Sequence, residues 1–182
     1  EALKVWTNTF LAETWEEMGE RIEVEAITAR GEDYEPEPLP AEVGVLTAGV
    51  DVQGGMDARL EVEVVGWGLA EESWGIEHRI IEGDAEQPEV WRELDAFLEK
   101  KWKHPSGARL GIAATCIDSG FCTRAVYQFA APRRARRIFA VKGSNQTGAP
   151  LIAKRTVKTG RRVGLYNIGT TTAKDAIFAR LK

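Results

Sequence analysis

Apolar residues recur along this chain with two different periods, and the changes of period mark out its elements. In residues 1–30, Leu11, Trp15, Met18 and Ile22 recur at helical spacing among Glu13, Glu16, Glu17 and Glu20, which predicts an acidic, helix-rich segment. Gly31 to Pro40 places Pro36, Pro38 and Pro40 among acidic residues and reads as a stiff, extended linker. Strand-like patterning then sets in. Val43–Val52 reads as a buried strand, Gly54-Gly55 opens a turn, and Arg59–Trp67 sets Leu60, Val62 and Val64 against Glu61, Glu63 and Val65. Ser73–Ile81 is a third strand, and the hairpin-length connections make the three antiparallel neighbours.

Pro88 then starts a helix with Val90, Trp91, Leu94, Phe97 and Leu98 on its apolar face. Glu89 in its first turn and Lys100-Lys101 in its last suit the helix dipole. A strand at about Leu110–Ile117 follows, then a helix Thr123–Ala131 stopped by Pro132, and a strand Arg137–Val141. The Gly- and Lys/Arg-rich residues 144–162 predict a loop or a β-ribbon, followed by a short strand Val163–Ile168 and a closing helix Thr172–Leu181. The order β-β-β-α-β-α-β lets the first and fourth strands lie side by side, and a helical crossover would make that contact parallel. The fold class expected is α/β: a mixed sheet of three antiparallel strands followed by alternating helices and strands, flanked by helices, in a ribonuclease H-like arrangement.

Bulk composition narrows the class without changing this picture. A chain of 182 residues buries roughly 70% of its unfolded surface, and 43% hydrophobic with 29% charged residues describes an ordinary globular protein. No apolar run approaches the roughly 20 residues of a membrane helix, and no signal-peptide pattern is present. Cys116 and Cys122, with only His78 and His104, match no zinc pattern and read as reduced thiols of a cytoplasmic protein. The Trp residues at 6, 15, 67, 74, 91 and 102 sit at core-like positions outside the basic stretches, so they read as packing residues.

Charge does change the picture. The net −4 conceals a polar molecule: the first hundred residues hold 26 of the 28 acidic and 7 of the 24 basic side chains, so the two parts carry about −19 and +15. Within the basic part, Asp118 closes the apolar run Ala113-Ala114-Thr115-Cys116-Ile117. Asp51 sits late in the run Val45 to Val52. An unpaired carboxylate in such a strand must be offset by a cation, a hydrogen-bond network or protonation. If the two strands are neighbours, Asp51 and Asp118 reach one end of the sheet and can bridge divalent ions, Mg²⁺ or Mn²⁺ by their hard oxygen donors. Each acid also has a plain alternative, a turn residue before Gly54-Gly55 for Asp51 and an Asx turn before Ser119-Gly120 for Asp118.

No convincing third ligand stands out. Asp175 fits a capping box with Thr172, Glu61, Glu63 and Glu77 read as a solvated strand face, and Glu71-Glu72 as a polar turn. His78 and His104 lack partners in the sequence. The basic segments Arg133-Arg134-Ala135-Arg136-Arg137, Lys142, Lys154-Arg155 and Lys158 to Arg162 suit phosphate contacts, or a docking surface for an acidic partner.

The segment Leu3-Lys4-Val5-Trp6-Thr7-Asn8-Thr9-Phe10-Leu11-Ala12-Glu13-Thr14-Trp15 resembles the stretch leading out of the packaging ATPase in GpA-type, lambda-like phage terminase large subunits. Thr47-Ala48-Gly49-Val50-Asp51-Val52-Gln53, Val65-Gly66-Trp67-Gly68, Glu72-Ser73-Trp74, Ile117-Asp118-Ser119-Gly120, Val141-Lys142-Gly143 and Gly169-Thr170-Thr171-Thr172-Ala173-Lys174-Asp175 follow in that family's order. The resemblance implies that residues 1–40 are a helical segment and linker leading from an ATPase domain absent here. Residues 41–182 would be a ribonuclease H-like nuclease domain lacking its C-terminal part. It implies two-metal cutting of concatemeric double-stranded DNA during packaging, with two Mg²⁺ or Mn²⁺ ions on Asp51 and Asp118, and Lys142 at the cleft rim. Arg133, Arg134, Lys154 and Arg155 would contact DNA. The third carboxylate would lie beyond Lys182. The ATPase domain, the small terminase subunit and the portal would be partners in the host cell cytoplasm, with no membrane involved. Two other classes stay open: a non-catalytic docking module of the motor, and a ribonuclease H-like resolvase or integrase.

Overall fold

In the computed structural model, which describes residues 28, 29, 31–159 and 161–181, Val45–Gln53 forms β1 with every second side chain buried: Leu46, Ala48, Val50 and Val52. β2 (Arg59–Trp67) pairs antiparallel with it and buries Leu60, Val62 and Val64 on the same face. β3 (Ser73–Glu82) pairs antiparallel with β2, with a register shift between Val64 and Val65. The shift leaves Ile76 as an extra residue and turns Glu77 to the face where the Lys100 ammonium (2.5 Å) and Trp102 Nε1 (2.9 Å) donate to it. Of the three strand glutamates read as one solvated face, Glu77 is therefore on the other side.

Pro88–Phe97 forms helix α1, with Pro in its first turn and Val90, Trp91 and Leu94 buried. It ends before Lys100-Lys101, which the sequence pattern had placed in its last turn. Lys101–Lys103 instead forms β4, antiparallel to the start of β5 (Arg109–Asp118). Strand alternation is what lets Trp102, 1% exposed, enter the core between two exposed lysines. β5 runs parallel to β1, as the crossover required.

Helix α2 (Thr123–Ala130) continues into a 3₁₀ turn, Ala131–Arg136, and leads to β6 (Ile138–Ser144), parallel to β5. Residues 144–162 resolve into the ribbon of the two alternatives. β7 (Ile152–Thr159) pairs antiparallel with β8 (Arg161–Gly169), and β8 runs parallel to β6. Helix α3 (Thr170–Leu181) starts directly at the end of β8. Thr172 is thus inside the helix and not its cap, and its hydroxyl donates to the Ala149 carbonyl (2.7 Å). The capping box with Asp175 does not form, because the close joint at Gly169 leaves no room for a longer lead-in.

The strand order β3-β2-β1-β5-β6-β8-β7, with β4 on β5, makes one mixed eight-stranded sheet flanked by helices. This unit spans Asp33–Ala176. The predicted helix around Leu11–Ile22, with Trp6 and Trp15, lies outside the described residues. Within the Pro/Glu stretch, Tyr34 donates to the Gly75 carbonyl (2.9 Å), and Leu39 is buried with its N–H on the Lys103 carbonyl (2.9 Å). Trp74, Trp91 and Trp102 are core residues as expected, and half-buried Trp67 donates to Thr47 Oγ1 (2.7 Å). His104 acquires partners through the fold, the Ser106 hydroxyl (2.7 Å) and the Ala41 carbonyl (3.1 Å).

The helix layer is tied together by Asp95 on α1. Arg133 grips it with two parallel bonds (Nε to Oδ1 2.8 Å, Nη2 to Oδ2 2.7 Å), and Arg136 adds a third (2.6 Å). The Arg133 hydrogen bonds, first among the causes, hold the Asp95 carboxyl down at about 2 against an ordinary 3.8. Because the folded-state value lies below the unfolded one, this stabilisation is fully present above about pH 4 and is lost as pH falls toward 2. Arg133→Met should therefore cost about 1–2 kcal/mol at pH 7. In urea unfolding followed by circular dichroism, the gap between variant and parent should narrow as pH falls from about 4 through 2, leaving the part that Arg133 owes to Phe129.

Candidate functional site

The two faces of the sheet are chemically distinct. On one, the even-numbered positions of β1 and β2 meet Val90, Trp91, Leu94, Val126 and Phe129 from the helices in one apolar core. The opposite face carries Gly49 and Asp51 from β1, Glu61 and Glu63 from β2, His78 from β3, and Cys116 and Asp118 from β5. These line an open concavity of about 470 Å³. Strand parity explains the sorting, since Thr115 and Ile117 are buried on β5 and their alternates Cys116 and Asp118 must project the other way.

Asp51 and Asp118 come together here. Val50 pairs with Ile117 in the parallel register, so the acids stand one residue further along on adjacent strands, which run about 4.8 Å apart. Asp51 Oδ1 accepts from Val52 N–H (3.0 Å) and its Oδ2 from Gln53 Nε2 (2.9 Å). Asp118 Oδ1 accepts from Gly120 N–H (3.0 Å). The Asx turn foreseen as an alternative thus exists and occupies one oxygen. Among the described residues, neither acid forms an ion pair.

Glu61 adds to the negative charge. It sits directly across from Asp51 in the antiparallel register, with its own Oε1 held by Arg59 Nε (2.6 Å). Like charges so placed destabilise a sheet unless something offsets them. The alternation of β2 put Glu61 and Glu63 on one face, but only the register shows that they share it with Asp51. His78, given no role on sequence grounds, opposes Glu63 on the same face. Among the described residues, no three His, Cys, Asp and Glu side chains converge as a complete metal site.

The loop leaving β5 is firmly held. Ser119 is fully buried, with its N–H (2.8 Å) and its hydroxyl (2.7 Å) both donating to the Val141 carbonyl, and the Thr123 hydroxyl donates to its carbonyl (2.7 Å). Cys116 and Cys122 are free thiols, both held above the usual thiol value by burial, with Glu86 and Asp84 adding to the effect at Cys122. Neither is an activated nucleophile.

The basic candidates divide. Lys142 is exposed at the end of β6, one residue beyond Val141, which pairs with Asp118. Lys154 and Arg155 are exposed on the edge strand β7, and Arg134 is exposed on the 3₁₀ turn. Arg133 is committed internally: besides Asp95, it donates to the Phe129 carbonyl (3.0 Å) and its guanidinium lies 4.0 Å from the Phe129 ring centroid.

Sheet, helices and paired carboxylates at parallel strand ends define an α/β domain with an acidic site beside a basic ribbon. All of residues 1–182 match the terminase large subunit gpA endonuclease domain, and the chain belongs to that family. It is 35% identical over 182 residues to the large terminase subunit of Enterobacteria phage P21, covering 99% of this chain and 28% of that protein. Likewise it is 36% identical over 179 residues to the large terminase subunit of Escherichia phage lambda, covering 97% of this chain and 27% of that protein. The chain thus spans little more than a quarter of these relatives. No solved structure matches it. Among the described residues, no helix is long and apolar enough to cross a membrane.

Proposed function

We propose that this domain is a Mg²⁺- or Mn²⁺-dependent endonuclease of ribonuclease H-like design that cuts double-stranded viral DNA into packaged lengths. The observation that carries the proposal is the placement of Asp51 and Asp118 on adjacent parallel strands in a family described as endonuclease domains. The strand order supports the fold assignment: an antiparallel β3-β2-β1 set joined through β1 to parallel β5 and β6.

The donors fit a hard divalent cation, being carboxylate oxygens whose nearest charged neighbour in the register is another carboxylate. Two bound ions would supply an activated water and charge stabilisation for the departing 3′-oxygen. The chain's own residues do the rest. The Val52 amide and Gln53 each hold one oxygen of Asp51, and the Gly120 amide holds one oxygen of Asp118. Every carboxylate oxygen so held keeps a second lone pair for a ligand. Lys154, exposed and aligned with Tyr166 and Val141 on the acids' face, offers a cation for backbone phosphates. The exposed Lys142, Arg155 and Arg134 add positive charge to the same basic part, the first two alternating to the other face of their strands. A third carboxylate completes the set from sequence outside this stretch of chain. By the family likeness the protein works in the host cytoplasm with an ATPase domain, a small terminase subunit and a portal.

Supercoiled plasmid incubated with Mn²⁺ and the full-length protein, which carries the third carboxylate, should be nicked, and chelator should stop it. A docking module would leave the plasmid intact in Mn²⁺ and keep its protein partners in chelator. The ribbon has its own test. Replacing Lys154, which shares the acids' face through Tyr166 and Val141, with Ala should weaken duplex binding at every sequence and lower the slope of log K against log salt by about 1, measured by fluorescence anisotropy across a salt series. Arg155→Ala, on the other face, should leave the slope unchanged.

A further inference from the structure

The strands that carry the two acids are followed by loops that meet through one aromatic ring. Phe121 comes three residues after Asp118, and Gly54 comes three residues after Asp51. A Cβ added to Gly54 would fall 2.2 Å from Phe121 Cζ and 2.4 Å from Cε1, so the ring lies directly on the glycine backbone. No other residue type at position 54 leaves that seat free. One side of the ring is therefore against protein, yet the residue remains 47% exposed.

A single exposed aromatic is ordinary, but this one is held out of the core by its surroundings. Ser119, two residues earlier, is pinned to β6, and Cys122, the next residue, adopts the left-handed conformation (φ 44°). That conformation is uncommon for a non-glycine residue, and at Cys122 it sets the turn from the Phe121 loop into helix α2. Arg124 is exposed nearby and forms no ion pair among the described residues.

We infer that Phe121 is a DNA-contacting residue of this site, its free side packing against the sugar next to the phosphate presented to Asp51 and Asp118. The inference rests on the endonuclease reading, because a strand that lays a phosphate on those acids must run past the loops that leave β1 and β5. An apolar ring against deoxyribose suits any sequence, since the sugar is the same at every step.

Binding is measured by anisotropy on a short duplex in chelator, with Asp51→Asn as the common background. Phe121→Ala should weaken binding about tenfold and Phe121→Trp should restore it. Gly54→Ala, which displaces a flexible side chain and not backbone, should reproduce part of the loss. With both acids intact, Phe121→Ala should raise KM for nicking more than it lowers kcat, and Mn²⁺ affinity by calorimetry should not move. Affinity within twofold of the parent, or a parallel loss of Mn²⁺ affinity marking a merely structural role, would overturn the inference. With the full-length protein, third carboxylate included, a parent that fails to nick plasmid in Mn²⁺ sinks the endonuclease reading instead, while nicking that persists unchanged in Phe121→Ala sinks this inference alone.

Discussion

Asp51→Asn should reduce Mn²⁺-dependent nicking of supercoiled plasmid by about a thousandfold or more, the loss expected when several kcal/mol of transition-state charge stabilisation disappear. Folding should not suffer. Asp51 stands across from Glu61, so removing its charge relieves a like-charge pair and should raise stability by roughly 0.2–1 kcal/mol. Duplex affinity in chelator should rise slightly for the same electrostatic reason. Asp118→Asn separates the two roles of the second acid: the amide oxygen can still accept from the Gly120 N–H, so the turn survives while the charge is lost. If Asp118 serves only as a turn residue, this variant nicks like the parent. Chelator-sensitive nicking that persists in Asp51→Asn would remove the basis for placing the chemistry at these strand ends.

The largest loss of stability should come from Trp102→Ala. Trp102 is almost fully buried, packs edge-on against Phe97 at 6.3 Å between centroids, carries the Lys100 ammonium over its ring, and donates to Glu77. Truncating a buried tryptophan costs about 3–5 kcal/mol, a large part of the 5–15 kcal/mol typical of a domain. Urea unfolding should show the midpoint falling with little change in slope. Trp102 pairs with Leu110, eight residues before Asp118 on β5, or about 26 Å at strand spacing. Nicking per folded molecule should accordingly stay at the parent level. A loss of activity larger than the unfolded fraction would mean that the site and this corner of the core are coupled.

The strands that flank the site were legible because they obey a short-range rule. Leu60, Val62 and Val64 alternate with polar residues, and the hydrophobic face declares itself within nine residues. Helix α1 was legible at its start, where Pro88 and Glu89 act locally, and misjudged at its end. Lys100-Lys101 looks like a helix terminus by charge, but burial of Trp102 on a strand whose facing residue, Leu110, lies eight residues away prevails. Thr172 and Asp175 have the spacing of a capping box, yet the joint between β8 and α3 brings the Ala149 carbonyl within reach of the Thr172 hydroxyl. In both cases a local preference worth about 1 kcal/mol yielded to packing over longer range.

Asp51 and Asp118 could be picked out as candidates because acids in apolar strands are costly and therefore conspicuous. Glu61, His78 and the Phe121–Gly54 contact could not, because nothing within a few residues of each distinguishes them from surface positions. Periodicity, composition and the division of charge are properties of neighbours in the chain, and they determined the elements, the helix-flanked sheet and the acidic and basic parts. Register, and with it the row Glu61–Asp51–Asp118 across three strands, was decided only by the tertiary structure. A one-residue slip of any strand would send each of those carboxylates to the opposite face. What holds the register is the summed burial of side chains far apart in sequence, a quantity that no local window contains.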